Sequence, residues 1–322
     1  MIMAESKPGR VCDLPGRVAS NAPICTAHAE IELLVPGFPV SQPGQFVQLQ
    51  CCDPDARTPR VLTWALGDFP SPHSGGELGR REAFLRRPFS IADQWRDDDG
   101  RVHVVVVSRT VGPGTAWLER LAPGDNLSVT GPLGHGFEIP GNDAPIALVG
   151  GGVGIPPLAH LARRLDEQGR RDVTAFLGAT TQDLLPLRLS KQPARDGTPQ
   201  VCAEMAGAAR FPAAITTDDG SCGLHGVVTD ALAKWHADRV DRLRNGATVF
   251  ACGPEAMLEA IAALTRELGL DCQLCIERKM GCGLGTCQSC IVRVRDETRP
   301  AGWRWALTCE EGPVFDRDQL YE

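Results

Sequence analysis

Four cysteines near the C-terminal end of this 322-residue sequence have the spacing of iron–sulfur ligands. The four are Cys282, Cys287, Cys290 and Cys309. They form a Cys-x4-Cys-x2-Cys run with a distant fourth cysteine, the spacing of plant-type 2Fe–2S ligation. Glycines within the run allow backbone amides to turn towards the sulfur atoms and to influence the reduction potential. The run predicts a 2Fe–2S cluster.

Zinc is the alternative metal, because two Cys-x2-Cys pairs occur in this region. They are Cys272 with Cys275 and Cys287 with Cys290. However, Cys272 and Cys275 fall in a segment with a strand pattern, and residues three apart on a strand point to opposite faces. One ion could hardly bind both, so the cluster is favoured.

Two alternatives concern the function of the whole chain. A zinc-stabilised binding protein without catalytic activity is the alternative from another functional class. A fold that has lost its cofactors is the other, and the intact ligand set argues against it.

Two glycine-containing motifs follow apolar strand patterns and could bind a nucleotide. In Gly150-Gly-Gly-Val-Gly154, glycine lets a diphosphate approach the backbone, and the helical pattern that follows supplies amide donors. The second motif, Cys252-Gly-Pro254, directly follows a strand pattern that ends at Ala251. It is therefore expected at the edge of the sheet where α/β folds bind ligands. The alternatives are a turn that merely packs closely and an ordinary strand end. The predicted contacts are Gly151, Gly152, Val153 and Gly154 in the first motif and Cys252, Gly253 and Pro254 in the second.

A third group of residues lies in the N-terminal half: Arg87-Pro-Phe-Ser90, Arg109 and Gly112-Pro-Gly-Thr115. An arginine fork and a glycine–threonine turn could bind a diphosphate, and the Ser90 hydroxyl could hydrogen-bond the edge of a flavin ring. Phe89 could lie against that ring. Taken alone, an Arg-Pro pair near a strand start usually has a structural role.

The hydrophobic pattern changes along the chain and predicts a multi-domain β plus α/β protein. Residues 1–21 are rich in Pro, Gly and charge and indicate a flexible leader. Residues 22–141 contain short strands separated by turn residues, which favours an antiparallel barrel, with a surface insertion at about 53–81. Residues 142–270 alternate strand and helix, as in a doubly wound parallel sheet. Residues 271–322 form a small cysteine- and glycine-rich segment.

Composition excludes several classes of protein. Lys plus Arg number 33 and Asp plus Glu number 40, so the net charge of −7 lacks the basic footprint of a nucleic-acid binder. The 13 cysteines are an odd number and unevenly placed, unlike a secreted disulfide framework, which favours a reducing compartment. Charged residues interrupt any signal peptide, and the longest uncharged stretch, 144–162, contains four glycines and three prolines. We expect a cytoplasmic protein with neither membrane nor nucleic-acid partners.

The motifs together resemble the ferredoxin-reductase superfamily. In chain order they are Pro43-Gly-Gln-Phe-Val47, Arg87-Pro-Phe-Ser90, Gly114-Thr115, Gly131-Pro-Leu-Gly134, Gly150-Gly-Gly-Val-Gly154, Cys252-Gly-Pro254 and the terminal cysteines. Three further segments closely resemble the electron-transfer subunits of type B dihydroorotate dehydrogenases. These are Thr217-Asp-Asp-Gly-Ser221, Glu277-Arg-Lys-Met-Gly-Cys282 and Cys309-Glu-Glu-Gly-Pro-Val-Phe315. The resemblance runs from about residue 22 to the end of the chain, except for the insertion.

The resemblance implies an FAD-binding barrel, an NAD-binding domain and a C-terminal 2Fe–2S segment. The flavin contacts that it implies are Arg87, Pro88, Phe89, Ser90, Val107, Ser108, Arg109, Gly114 and Thr115. It also implies that electrons move from NADH through FAD to the cluster, and then to or from an FMN-containing catalytic subunit in pyrimidine biosynthesis, in a complex with two copies of each subunit. No residue of this chain is then expected to act as a general acid or base, because the cofactors carry the bond chemistry. The alternative is an NAD(P)H reductase of the same fold that serves ferredoxin, a hydrogenase or an oxygenase.

The resemblance also places Thr217-Asp-Asp-Gly220 near the adenosine ribose of the nucleotide. A 2′-phosphate about 4 Å from Asp218 or Asp219 would suffer roughly 1–4 kcal/mol of repulsion per pair of unit charges. A 2′-hydroxyl could instead donate a hydrogen bond to the carboxylate. We therefore predict NADH as the preferred nucleotide. The alternative is that the two aspartates only cap a turn.

Overall fold

The computed structural model describes residues 11–52, 83, 85–204, 210–241, 243 and 246–321. The first unit is a closed antiparallel barrel with the strand order β1-β2-β5-β4-β3-β6. Its strands are β1 (Cys12–Cys25), β2 (His28–Leu34), β3 (Phe46–Leu49), β4 (Arg87–Arg96), β5 (Val102–Arg109) and β6 (Asn126–Leu133). Helix α1 (Pro113–Glu119) lies between β5 and β6 in the chain. Alternate side chains point inwards, so Ile31, Leu33, Val104 and Val106 are fully buried in the barrel core.

The barrel begins earlier than the sequence indicated. The expected leader ran to residue 21, but residues 12–21 lie in β1, where Asp13 pairs with Thr130 of β6 and Asn21 pairs with Ile31 of β2. Gly16 fits the strand because it packs on Val129. A Cβ at Gly16 would lie 2.8 Å from Val129 Cγ2. Residues 1–10 and the predicted insertion at 53–81 fall outside the described residues.

The second unit is a seven-stranded sheet with the order β12-β11-β8-β7-β13-β14-β17. Its strands are β7 (Ile146–Gly151), β8 (Val173–Ala179), β11 (Ala213–Thr217), β12 (Leu224–His225), β13 (Thr248–Cys252), β14 (Asp271–Cys275) and β17 (Val314–Asp316). Its helices are α2 (Ile155–Glu167), α3 (Val228–Ala237) and α4 (Glu255–Glu267). The other short strands are β9 (Arg188–Leu189), which pairs with β10 (Ala203–Glu204), and β15 (Ile291–Arg295), which pairs with β16 (Trp303–Leu307).

Helices cover both faces of this sheet. Leu158 and Leu161 of α2 pack on one face, while Leu232 of α3 and Ile261 of α4 pack on the other. The strand order reverses between β7 and β13, which is the position where open α/β sheets bind ligands. The predicted barrel and doubly wound sheet are confirmed. None of the helices in the described part of the chain has the length and apolar composition needed to cross a membrane.

The predicted boundary at residue 271 does not separate a structural unit. Strand β14 pairs in parallel with β13, and β17 pairs with β14 as an antiparallel edge strand. Both strands bury apolar side chains, Leu274 and Phe315, in the same core as α3 and α4. The cysteine-rich segment is therefore anchored to the nucleotide-binding sheet by two strands.

The barrel and the sheet are joined by an ion pair whose carboxylate is buried. Arg163 of α2 donates from Nη2 to Asp93 Oδ2 of β4 at 2.7 Å, and its Nε lies 2.6 Å from Asp93 Oδ1. The guanidinium also lies over the Trp95 ring, 5.6 Å from its centroid. Burial raises the pKa of the Asp93 carboxyl, and the guanidinium opposes that rise. This pair fixes the strand with the predicted flavin contacts against the helix that follows the glycine motif.

Replacing Arg163 with methionine is expected to lower the free energy of unfolding by about 3 kcal/mol near neutral pH, because a buried carboxylate loses its cation. Since the pKa of Asp93 is raised in the folded protein, the penalty grows as the pH rises through the unfolded-state value. The loss should therefore be smaller at about pH 4, where the carboxyl can take up a proton. Urea unfolding at both pH values measures it. Arg164→Met is the matched control, because Arg164 pairs with Glu167 at the surface; equal losses in the two variants would contradict the prediction.

Candidate functional site

The loop that carries the first three predicted cluster ligands turns its amides towards sulfur. The Leu284 and Cys287 amides donate to Cys282 Sγ, at 3.3 and 3.4 Å, and the Gly285 amide donates to Cys309 Sγ at 3.2 Å. Gly285 has φ +77°, a conformation that glycine adopts without strain. The sequence therefore folds here so that backbone donors surround the thiols, as an iron–sulfur cluster requires.

Ser289 completes the polar side of this loop. Its hydroxyl oxygen lies 3.1 Å from Cys287 Sγ and accepts a hydrogen bond from the Gly281 amide at 2.9 Å. Hydrogen bonds lower the pKa of the Cys287 thiol to about 6, and the bond with the Ser289 hydroxyl has the largest effect. Burial raises the pKa of Cys309 to about 12, so this thiol would lose its proton to a bound metal rather than to water. Sequence reasoning did not single out Ser289, whose only signal is its place between two ligands.

The other two ligands are buried against the barrel. Cys290 and Cys309 are 2% and 4% exposed and form one apolar cluster with Phe46 of β3 and Leu133 of β6. The four predicted ligands therefore lie in one segment, with amide donors on one side and the outer face of the barrel on the other. Four cysteine thiols in this setting fit a 2Fe–2S cluster.

Zinc binding by two Cys-x2-Cys pairs would require Cys272 and Cys275 to face the same ion. Cys272 and Cys275 lie in the cores on opposite faces of the sheet, as the strand pattern indicated. Among the described residues, no three His, Cys, Asp or Glu side chains converge on a single-ion site. A two-iron cluster instead distributes four thiolates over two metals.

The predicted flavin contacts meet at one end of the barrel. Strands β4 and β5 are antiparallel, with Ile91 opposite Val106, so the start of β4 and the end of β5 lie side by side. Helix α1 begins against the same region, because a Cβ on Gly114 would lie 3.4 Å from Arg87 Cγ. The Thr115 hydroxyl oxygen accepts from the Val111 amide at 2.9 Å and so shapes the turn that precedes α1.

Two features of this region fit a bound flavin. The hydroxyl of Ser108 is buried, and no partner for it lies among the described residues. A buried polar group of this kind normally has a hydrogen-bond partner, which a ligand can supply. Arg87 Nη1 donates to the Leu85 carbonyl at 2.8 Å, and the other guanidinium nitrogens could donate to a diphosphate.

The glycine motif has two separate roles. Gly151 and Gly154 pack against the second motif: a Cβ on Gly151 would lie 3.2 Å from Pro254 Cδ, and one on Gly154 would overlap the Cys252 carbonyl. Gly152 has φ +51° and open space where a Cβ would be. A diphosphate can therefore approach at Gly152, while its neighbours allow the two strand ends to come together.

The two predicted ribose contacts differ in their surroundings. Asp219 Oδ1 accepts hydrogen bonds from the Ser221 amide and hydroxyl, at 2.9 and 2.6 Å, so this carboxylate caps its own turn. Its pKa is lowered by those bonds. Asp218 is exposed, directly after β11. Asp219 also lines a cleft of about 640 Å³ between the β1–β2 hairpin and the loop after β8.

Family models match two parts of the chain. Residues 277–321 match the iron–sulfur cluster binding domain of dihydroorotate dehydrogenase B, and residues 148–263 match an oxidoreductase NAD-binding domain. The chain is 32% identical over 252 residues to the electron transfer subunit of dihydroorotate dehydrogenase B (NAD(+)) from Caldanaerobacter subterraneus subsp. tengcongensis, covering 77% of this chain and 87% of that one. The chain belongs to this family of electron transfer subunits.

Other comparisons agree with this family. A protein from Thermococcus kodakarensis named as a probable electron transfer subunit of the same kind is 36% identical over 235 residues, covering 73% of this chain and 80% of that one. A solved structure of an NADH-dependent reduced ferredoxin-NADP oxidoreductase has a TM-score of 0.65 and 25% identity, covering 95% of this chain and 89% of its own. The predictions of the family, of an oxidoreductase and of FAD, 2Fe–2S and NAD(H) as its cofactors are confirmed. The individual contact residues stay predictions.

Proposed function

We propose that this chain transfers electrons between NAD(H), FAD and a 2Fe–2S cluster, and exchanges them with an FMN-containing dihydroorotate dehydrogenase catalytic subunit. The observation that carries the proposal is the position of the ligand cysteines. Cys290 and Cys309 pack on Phe46 of β3, and β3 pairs directly with β4, which carries the predicted flavin contacts. Adjacent strands in a sheet lie about 4.8 Å apart. The two cofactors are therefore expected to lie on neighbouring elements.

When bound, FAD accepts a hydride and the cluster carries one electron at a time. The chain positions these groups. Arg87 and the turn before α1 would hold the flavin diphosphate, and Gly152 would admit the diphosphate of the nucleotide. The Arg163–Asp93 pair fixes these two regions to each other.

The exposed side of the cluster loop supports a protein partner. Cys287 and Leu284 are exposed, while the barrel covers the other side of the site. An electron acceptor can therefore approach on the Cys287 side. We expect the partner to be the catalytic subunit, in a complex with two copies of each chain, and we expect that complex to be cytoplasmic.

A reductase serving ferredoxin is the second candidate. It is favoured by the high coverage of the ferredoxin-NADP oxidoreductase structure, which extends over 95% of this chain. The two candidates share the same flavin and cluster sites and differ only in the partner that meets the cluster.

The deciding experiment uses the full chain, purified anaerobically, with flavin, iron and zinc quantified. Flavin and iron–sulfur absorption that are both bleached by NADH support the electron path. Dihydroorotate-dependent NAD⁺ reduction on addition of a catalytic subunit supports the first candidate, and reduction of ferredoxin alone supports the second. A protein that stays colourless after reconstitution with iron, sulfide and FAD would overturn both.

Asp218 is expected to determine the preference for NADH. Replacing it with serine removes about 1–4 kcal/mol of repulsion towards a 2′-phosphate, so kcat/KM for NADPH should rise about tenfold or more. Diaphorase assays with both nucleotides measure the ratio. Asp143→Asn, an exposed aspartate elsewhere, makes the same change in net charge. An equal kcat/KM for both nucleotides in the native protein would sink this prediction.

A further inference from the structure

Gln48 is a buried polar side chain that the predicted sites do not use. It lies in β3 with 0% exposure, and neither its side-chain oxygen nor its side-chain nitrogen has a hydrogen-bond partner among the described residues. A buried carboxamide left without partners is costly, so such groups are normally satisfied by protein, water or ligand. A carboxamide in this position can therefore form a hydrogen bond with a bound group.

The strand alternation shows in which direction Gln48 points. Val47 and Leu49 belong to the barrel core, whereas Phe46 packs outside the barrel with Cys290 and Cys309. Residues i and i+2 of a strand share a face, so Gln48 lies on the same outer face as Phe46. This face is the one that the cluster segment covers.

The cluster loop contacts the carboxamide directly. A Cβ built on Gly283 would lie 2.8 Å from Gln48 Cγ and 3.0 Å from its Cδ, so the loop passes against this side chain immediately after the ligand Cys282. Gly283 has φ +73°, which lets the loop make this approach. On the barrel side, Gln48 pairs with Pro88, inside the predicted flavin motif. The carboxamide thus lies between the flavin strand and the first cluster ligand.

We propose that the Gln48 carboxamide N–H donates a hydrogen bond to a sulfur of the 2Fe–2S cluster and raises its reduction potential. This inference rests on the proposed function, because it requires the cluster. Reduction adds one electron to the cluster, which makes its sulfurs more negative and better hydrogen-bond acceptors. A donor held at this place therefore stabilises the reduced state more than the oxidised state. Gln48 is a positioning and tuning residue, and it takes no part in proton or hydride transfer.

The test compares Gln48→Leu with the native full chain, both loaded with FAD and cluster. Leucine has a similar volume and no donor, so the flavin and iron contents should not change. The one-electron reduction equilibrium of the cluster should shift about tenfold towards the oxidised state, which equals about 59 mV. A redox titration followed by electron paramagnetic resonance measures the cluster separately from the flavin.

The matched control is Gln50→Leu. Gln50 is two residues further along the chain, and its side-chain nitrogen already donates to Cys52 Sγ at 3.2 Å. Its substitution should leave the potential of the cluster unchanged. If Gln48→Leu also leaves it unchanged, or shifts only the flavin potential, the proposal is wrong. A native protein without iron would instead refute the proposed function, so the two failures are distinguishable.

A second measurement keeps Gln48 in place. The chain is made by cell-free synthesis with glutamine labelled with ¹⁵N only at the side-chain amide, in a Gln288→Asn background. This change removes the glutamine within the cluster loop, and asparagine tolerates the φ of +56° at that position. Pulsed electron paramagnetic resonance of the reduced cluster should show hyperfine coupling to one side-chain ¹⁵N. The absence of that coupling would overturn the proposal.

Discussion

Replacing Cys287 with alanine is expected to abolish cluster binding while leaving the flavin reducible by NADH. Cys287 is an exposed predicted ligand, so its truncation takes no side chain out of the core. Loss of one thiolate leaves a three-cysteine set that no longer satisfies both irons. Delivery of electrons to a one-electron acceptor at the cluster should fall about 100-fold or more. This loss is larger than that expected when a residue that only hydrogen-bonds to a metal ligand is removed.

Two readouts separate these steps. Anaerobic stopped-flow absorbance follows flavin reduction by NADH, and iron analysis with a partner-reduction assay follows the cluster. Cys52→Ala is the control, because Cys52 is a half-buried cysteine in the barrel outside the ligand set. Native iron content in Cys287→Ala would show that Cys287 is not a cluster ligand. A parallel loss of flavin reduction would contradict the expected independence of the flavin site.

Local patterns predicted the folds of both units and the positions of the motifs. The apolar segment before Gly150 is β7, the helical pattern after Gly154 is α2, and Cys252 ends β13. These features depend on residues close together in the sequence, since strand and helix periodicities and turn residues act locally. The spacing of the cysteines likewise predicted the ligand loop.

Features that depend on contacts between distant segments were not predicted. The segment Gln45–Gln50 alternates polar and apolar residues, a pattern typical of a strand with one face exposed to solvent. In the folded chain, the cluster segment covers that face and buries Gln48 completely. The Arg163–Asp93 pair joins residues 70 positions apart and carries no local signal.

The first strand was missed for a similar reason. Residues 12–21 contain proline, glycine and charge, so their composition favours a loop. Their strand conformation is stabilised by pairing with β2 and β6, and the partner β6 lies more than 100 residues away. Here the tertiary pairing outweighs local propensity.

Gly154→Ala is expected to destabilise the protein by about 4 kcal/mol or more, at the upper end for single substitutions. A Cβ at this position would overlap the Cys252 carbonyl and lie 2.5 Å from the Gly253 nitrogen. Both obstacles are backbone atoms of the neighbouring strand end, so neither can move without separating β7 from β13. Thermal unfolding followed by flavin absorbance should show a lower Tm and loss of flavin at lower temperature.

Gly152→Ala distinguishes packing from nucleotide binding in the same motif. No atom of the described residues lies within 4 Å of a Cβ at Gly152, so the expected cost is the left-handed φ of +51° alone, about 1–2 kcal/mol. The protein should fold, and its KM for NADH should rise, because the added methyl group occupies the space where the diphosphate approaches. If KM for NADH stays at the native value, the motif serves only the close packing of β7 against β13. The prediction for Gly154 would stand in that case, because it depends on the overlap with Cys252 and not on the nucleotide.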